Sequence, residues 1–251
     1  NEGHKNKGHT VPVISWGIAM ERFFWGERSS SSSDAIAIPS AAGGSTSTTT
    51  MHHISNKESF PLVLLRGALS TESLAWALSL TAAVSDNAEE MEQHERVGGK
   101  VRALRRSLVS QLDPHTELLD GILSNLPKAL VGDKYQDHHH PYEDGSVVYY
   151  RRREADFYDE HHDSYAPGEN PRDRQRAYTI LLYLRTPPGP PSVGGTEFTR
   201  LTRNDNESGI VACCAERETN GRGLVVKPSA GDALVWPNFD RDGTPYKDSV
   251  H

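Results

Sequence analysis

The stretch with the clearest chemical potential is 157–163, where two histidines stand among three acidic residues. Side chains on a strand alternate between its faces, so His161 and Asp163 should point the same way and His162 the opposite way. An imidazole beside a carboxylate supplies two of the three ligands of a facial metal triad. The third ligand must come from a distant strand, and His251 lies late enough in the chain to supply it.

Two imidazoles and one carboxylate suit Fe(II) because they leave three coordination positions open. A 2-oxo acid can chelate through two of these positions, and dioxygen can take the third. The charges agree, since a single aspartate leaves the site cationic and an anionic cosubstrate completes it. On these residues alone, surface histidines on a strand are the alternative, because a chain with 12 histidines offers many chance pairs.

The elements that would position these residues are short strands after Gly132. Stretches rich in Val, Ile, Leu, Tyr and Thr alternate there with Pro, Gly, Asn and Asp, which favour turns. Earlier in the chain, an apolar run at 61–65 suits a strand. Capping residues predict helices over 70–81 and 113–126, with a partly helical segment at 95–112 between them. The later strands are predicted at 146–153, 177–185, 196–201, 223–228 and 233–237.

Helices followed by a run of short strands predict an α+β, mainly β fold, with a sheet sandwich and N-terminal helices packed on one sheet. Residues 1–59 contain serine and Gly/Ser/Thr tracts and are predicted to be mainly a low-complexity tail or linker, which leaves 60–251 as the domain. The adjacent Cys213 and Cys214 form no disulfide framework and are expected to be free thiols on a mobile lid, with vicinal-cysteine redox chemistry as the alternative.

The overall charge and hydropathy exclude two classes of partner. A formal net charge of -7 argues against a general nucleic-acid binder. No apolar run approaches the roughly 20 residues that a membrane-spanning helix needs, so no transmembrane segment is predicted in this chain.

Five stretches, in order along the chain, resemble motifs of the prolyl 4-hydroxylase family. The segment 158–163 is similar to its Tyr-x-x-His-x-Asp motif, and 176–184 is similar to its Arg-x-x-Thr-x-Leu-x-Tyr-Leu strand. The other three matching segments are 194–198, 226–236 and 242–251. The resemblance covers roughly residues 60–251.

This resemblance implies a double-stranded β-helix, which is a cupin-like jelly roll, and an Fe(II)- and 2-oxoglutarate-dependent dioxygenase of the procollagen-proline 4-dioxygenase type. It implies His161, Asp163 and His251 as catalytic metal ligands, with ascorbate as a further cofactor. The implied reaction hydroxylates peptidyl proline to 4-hydroxyproline while 2-oxoglutarate is decarboxylated to succinate. The implied partner is a proline-rich peptide or protein, and the implied location is the endoplasmic reticulum or secretory pathway.

By the same resemblance, Thr179 and either Tyr149 or Tyr150 would bind 2-oxoglutarate. Arg176 would bind substrate, and so would Trp236, for which a place in the core is the alternative. The family's basic residue for the far carboxylate of 2-oxoglutarate lies beyond the distal histidine. We therefore expect a catalytic domain truncated at its C-terminus, with its last strands missing and weak or absent turnover.

Two alternatives to peptidyl-proline hydroxylation stay open. One is a related oxygenase that acts on a lysyl residue or a small molecule. The other is a non-catalytic peptide-binding module of the same fold.

Overall fold

The computed structural model describes 125 of the 251 residues, in separate segments. These are residues 34–39, 46–55, 60–85, 89–97, 100–111, 146–150, 156–164, 176, 178–186, 195–201, 214–217, 223–240 and 243–251. The helix predicted over 113–126 lies outside them.

Strands dominate the described residues, and the predicted mainly β class is confirmed. A single α-helix, α1 (Thr71–Ser85), and a 3-10 turn at Lys247–Ser249 complete this part of the chain. The strands are β1 (Asp34–Pro39), β2 (Thr46–His53), β3 (Val63–Arg66), β4 (Glu89–Val97), β5 (Lys100–Gln111), β6 (Ser146–Tyr149), β7 (Phe157–Tyr158), β8 (Tyr178–Leu182), β9 (Thr196–Phe198), β10 (Ala215–Arg217), β11 (Leu224–Val226) and β12 (Ala233–Pro237).

Three antiparallel sheets organise these strands. The largest has the order β1-β2-β3-β12-β8, and a smaller sheet has the order β10-β11-β9. A third sheet has the order β4-β5-β6, with β7 also paired to β5. Within the largest sheet, Trp236 pairs with Thr179, which brings the end of β12 beside the start of β8.

The core lies between the first two sheets. Leu234 and Trp236 of β12 lie two residues apart, so their side chains share one face of the sheet. They pack against Phe198 of β9 and Val226 of β11 in one buried cluster. Each such side chain contributes roughly 1.5–3 kcal/mol when it is fully buried. Two antiparallel sheets around one core give the jelly-roll sandwich that the sequence predicts.

A turn before β12 fixes this strand against β3. Asp232 is buried and accepts hydrogen bonds from the backbone N–H of Gly67 (3.0 Å) and of Ser229 (2.7 Å). Its carboxylate also forms an ion pair with Arg66. Gly231 adopts a φ of 89°, a left-handed conformation that suits glycine, and closes the turn.

The N-terminal half differs from the sequence prediction in two places. Strands β1 and β2 lie within the segment predicted to be a tail, and Met51 and Ile54 are buried there. Threonine is β-branched and favours strands, so this low-complexity tract can extend the sheet beside β3. A domain boundary near residue 60 stays a prediction for the rest of the segment.

The segment 95–112, predicted to be partly helical, instead falls largely in the β4–β5 hairpin, which is a correction.

The helix α1 begins as predicted. The Ser70 hydroxyl accepts a hydrogen bond from the backbone N–H of Ser73 (3.1 Å), which is the geometry of an N-cap. No helix among the described residues is both long and apolar enough to cross a membrane.

Cys214 corrects the expectation of free thiols. It is fully buried at the edge of the core and is disulfide-bonded. Cys213 lies outside the described residues.

Candidate metal centre

The fold brings His161, Asp163 and His251 together. One potential ligand atom from each residue lies within 4.8 Å of the other two. His161 Nε2 is 3.7 Å from Asp163 Oδ1, and His251 Nε2 is 3.8 Å from Asp163 Oδ2. All three side chains are largely buried, with exposed fractions of 20%, 12% and 10% in chain order. This group is able to hold a metal ion.

Main-chain pairing joins the two histidines. The N–H of His161 donates to the carbonyl of His251 (2.9 Å), and the N–H of His251 donates back to the carbonyl of His161 (3.1 Å). The regular strand β7 ends at Tyr158, so His161 and Asp163 lie in an extended segment after it and not on the continuous strand that we expected. Alternation still holds, because His162 is not part of the group and lies 3.3 Å from Ser249 Oγ.

Hydrogen bonds set the protonated nitrogen of both rings. His161 Nδ1 is 2.9 Å from the carbonyl of Asp159, and His251 Nδ1 is 2.9 Å from the carbonyl of Ser249. A carbonyl oxygen only accepts, so each Nδ1 carries the proton and each Nε2 keeps its lone pair. Both lone pairs are therefore available to a metal, as in most histidine-ligated sites.

Burial also favours the neutral form of His161. Desolvation, followed by the neighbouring His251, lowers the pKa of His161 to about 4. A metal binds the neutral imidazole, so this ring needs no deprotonation near pH 7.

Aromatic side chains pack against both imidazoles. Tyr158 stacks on His161 with ring centroids 3.6 Å apart and an interplanar angle of 14°, and the Arg105 guanidinium lies 4.5 Å from the Tyr158 ring centroid. Trp236 contacts His251 edge-on at 4.8 Å. These rings limit the rotation of both histidines.

Polar side chains hold the carboxylate. Arg176 Nη1 donates to Asp163 Oδ1 (3.0 Å), and the Thr179 hydroxyl donates to Asp163 Oδ2 (2.6 Å). Behind them, Asn238 Nδ2 donates to Thr179 Oγ1 (3.1 Å). Asn238 was not among the site residues predicted from the sequence. The sequence signal for it is a polar residue directly after the buried strand β12, which pairs with the strand β8 that carries Thr179.

The other predicted site residues differ in their burial. Tyr149 ends β6 and is half-buried, whereas Tyr150 is 51% exposed. The roles predicted for these tyrosines and for Thr179 in binding 2-oxoglutarate, and for Arg176 in binding substrate, stay predictions. Trp236 is 1% exposed and packs in the core, which favours the core alternative for this residue.

The distances within the group fit a metal ion. Ligand atoms that each lie about 2.1 Å from a metal and at right angles to one another are about 3.0 Å apart. The observed separations of 3.7 and 3.8 Å are longer than that value, so a bound metal would draw these side chains together. Two imidazole nitrogens and one carboxylate oxygen are the donor set of non-haem Fe(II) sites with open positions.

No family model matches the sequence. No curated protein matches it either. Among solved structures, the chain is similar to the viral collagen prolyl hydroxylase of Paramecium Bursaria Chlorella virus-1 in complex with 2OG, with a TM-score of 0.46 and 18% identity. The match covers 76% of this chain and 85% of that chain. Statements about function therefore depend on the geometry of the site.

Proposed function

We propose that this protein is an Fe(II)- and 2-oxoglutarate-dependent dioxygenase that hydroxylates peptidyl proline to 4-hydroxyproline. The observation that carries the proposal is the convergence of His161, Asp163 and His251, with both histidine Nε2 atoms turned toward the carboxylate. His161 and His251, which are 90 positions apart in sequence (251 − 161), meet at this point.

The number of ligands supports a catalytic site over a structural one. Structural zinc sites are closed by four protein ligands, whereas three ligands leave positions for other molecules. Two nitrogens and one carboxylate suit Fe(II) better than Mg²⁺ or Ca²⁺, which prefer oxygen ligands. No fourth histidine, cysteine or carboxylate joins the group among the residues that the structure describes.

Each residue of the group has a defined task. His161 and His251 offer fixed lone pairs, and Asp163 offers one negative charge that Arg176 and Thr179 orient. When bound, Fe(II) would activate dioxygen, which is the oxidant: one oxygen atom would enter the C–H bond of the substrate and the other would enter 2-oxoglutarate as it is decarboxylated to succinate and carbon dioxide, with ascorbate as the accessory reductant. The buried Trp236 ring covers His251, and Tyr158 stacks on His161.

The proline substrate rests on the motif resemblance, and one surface feature supports it. Tyr150 is an exposed large aromatic side chain, 51% accessible, and it directly follows β6, which pairs with β5 in the sheet that also contains β7. Exposed aromatic rings are the usual contact surface for extended proline-rich peptides, whose backbone is already ordered before binding.

A direct assay tests this function. The protein is incubated with Fe(II), 2-oxoglutarate, ascorbate and a proline-rich peptide, and mass spectrometry looks for the gain of one oxygen. We expect hydroxyproline together with succinate at a low turnover rate, and neither product from the His161→Ala variant or from a peptide with alanine in place of proline. Oxygen on lysine or on a small molecule would support the related oxygenase, and peptide binding without succinate would support the non-catalytic module.

A further inference from the structure

A buried amide is linked to the carboxylate ligand Asp163 through a neighbouring side chain and is not part of the metal group. Asn238 follows β12 directly and is fully buried. Its Nδ2 lies 3.1 Å from Thr179 Oγ1 and 3.1 Å from the backbone carbonyl of Arg176. Both neighbours of the Asp163 carboxylate are therefore connected to this one amide.

We propose that Asn238 is a positioning residue that fixes Asp163 for metal binding by acting through Thr179. This inference rests on the proposed metal site. It goes beyond that site because neither Asn238 nor Thr179 is a ligand in it. The chain of contacts runs from Asn238 Nδ2 to Thr179 Oγ1 and from there to Asp163 Oδ2.

The direction of the hydrogen bonds follows from the groups involved. An ionised carboxylate only accepts, so the Thr179 hydroxyl must give its proton to Asp163. The Thr179 oxygen can then accept a hydrogen bond from Asn238. The amide must present nitrogen at this place, because its oxygen could not hydrogen-bond to the Arg176 carbonyl, which is also an acceptor. The Asn238 amide thus sets the direction of the Thr179 proton.

The consequence is a carboxylate held at both oxygens. Arg176 binds Oδ1 and Thr179 binds Oδ2, so rotation of the Asp163 carboxylate would break both bonds. Asn238 Nδ2 also donates to the Arg176 carbonyl, and this second hydrogen bond fixes the amide in the orientation that faces Thr179. A ligand that is ordered before the metal arrives loses less entropy on binding, and outer partners of this kind typically change metal affinity by about 10–100-fold.

A purely structural role for Asn238 explains less of what is observed. Its Oδ1 is buried and has no hydrogen-bond partner among the described residues. A buried amide with one unsatisfied end is less favourable for stability than an apolar side chain of similar size. The feature that an apolar residue could not reproduce is the pair of hydrogen bonds that Nδ2 donates.

The test measures metal affinity and not turnover. Metal-free protein is titrated with Co(II), whose visible absorption depends on its ligands, and calorimetry with Mn(II) gives a second measure of affinity. We expect Thr179→Val and Asn238→Leu each to weaken binding about tenfold and to change the Co(II) spectrum, whereas Thr179→Ser restores affinity to near the wild-type value.

A double variant makes the proposed order of action testable. If Asn238 acts through Thr179, the Thr179→Val/Asn238→Leu protein should bind Co(II) no more weakly than Thr179→Val alone. Losses that multiply would overturn the proposal, and so would a folded Asn238→Leu protein with wild-type affinity and spectrum. If Asn238→Leu does not fold, Asn238→Ser takes its place, since its short hydroxyl cannot span both contacts.

A matched control separates stability from positioning. Ser55 is another buried polar residue, and it hydrogen-bonds the backbone of Phe60 and Leu62 away from the metal group. Ser55→Ala should lower the melting temperature without changing Co(II) affinity. Wild-type protein that binds no metal would refute the proposed function, whereas wild-type binding with no effect of Asn238→Leu would refute only this inference.

Discussion

The two sides of the metal group are held in different ways. The histidine side is held by the main chain, through reciprocal backbone hydrogen bonds between His161 and His251 and through carbonyls that bind each Nδ1. The carboxylate side is held by side chains, since Arg176, Thr179 and Asn238 contact Asp163 directly or in sequence. Main-chain contacts survive most substitutions, so the carboxylate side should be the more sensitive to mutation.

The largest difference between the two sides is expected when the ligands themselves are replaced. We expect Asp163→Ala to weaken Co(II) binding more than His251→Ala, and both by more than the about 100-fold upper range of outer-partner changes. Removing Asp163 deletes a ligand and also removes the carboxylate that offsets the Arg176 charge beside the metal position. Co(II) titration of metal-free variants measures both effects. Equal losses of Co(II) affinity in the two variants would mean that the charge of Arg176 does not affect metal binding.

A second substitution isolates that charge. Asp163→Ala/Arg176→Met should bind Co(II) about tenfold more tightly than Asp163→Ala alone, because the guanidinium no longer repels a dication at short range. The ion pair between Arg176 and Asp163 spans 3.0 Å in partly buried surroundings, where screening is incomplete. Asp163→Ala/Arg176→Lys retains the charge and serves as the control, and it should show no such recovery. Recovery in the lysine variant would point to a steric cause.

The placing of His161 beside Asp163 was accessible from sequence because their spacing is local, whereas His251 was identified by its late position and by the motif resemblance. The spacing of His161 and Asp163 predicts that they share a face, and an extended segment delivers that arrangement without a regular strand. The later strands were also predictable, since β8, β11 and β12 combine β-branched or aliphatic residues with flanking turn residues. The jelly-roll core follows from where these strands bury their apolar faces.

The supports of the carboxylate were not accessible in the same way. Asn238 meets Thr179 only because β12 pairs with β8 in a register that places Trp236 opposite Thr179. Register depends on packing between strands that are distant in sequence, and a single polar residue gives no sign of it. The β4 strand was missed for another reason. Its residues Glu89, Glu90 and Glu92 are exposed, so no alternation of buried and exposed positions marks it as a strand.

The smallest expected effect tests the robustness of the histidine side. Tyr158 stacks on His161, and Tyr158→Leu removes that stack together with the Arg105 contact on the tyrosine ring. Aromatic pairs and exposed cation–π contacts each contribute about 0.5–1.5 kcal/mol, so the free energy of unfolding should fall by roughly 1–2 kcal/mol in urea. Metal affinity should change by less than about threefold, because the main-chain bonds that orient His161 remain in place. Tyr158→Phe keeps a stacking ring and should match the wild type in both measurements. A loss of Co(II) affinity in Tyr158→Leu as large as that in Thr179→Val would show that stacking, and not the main chain, orients His161.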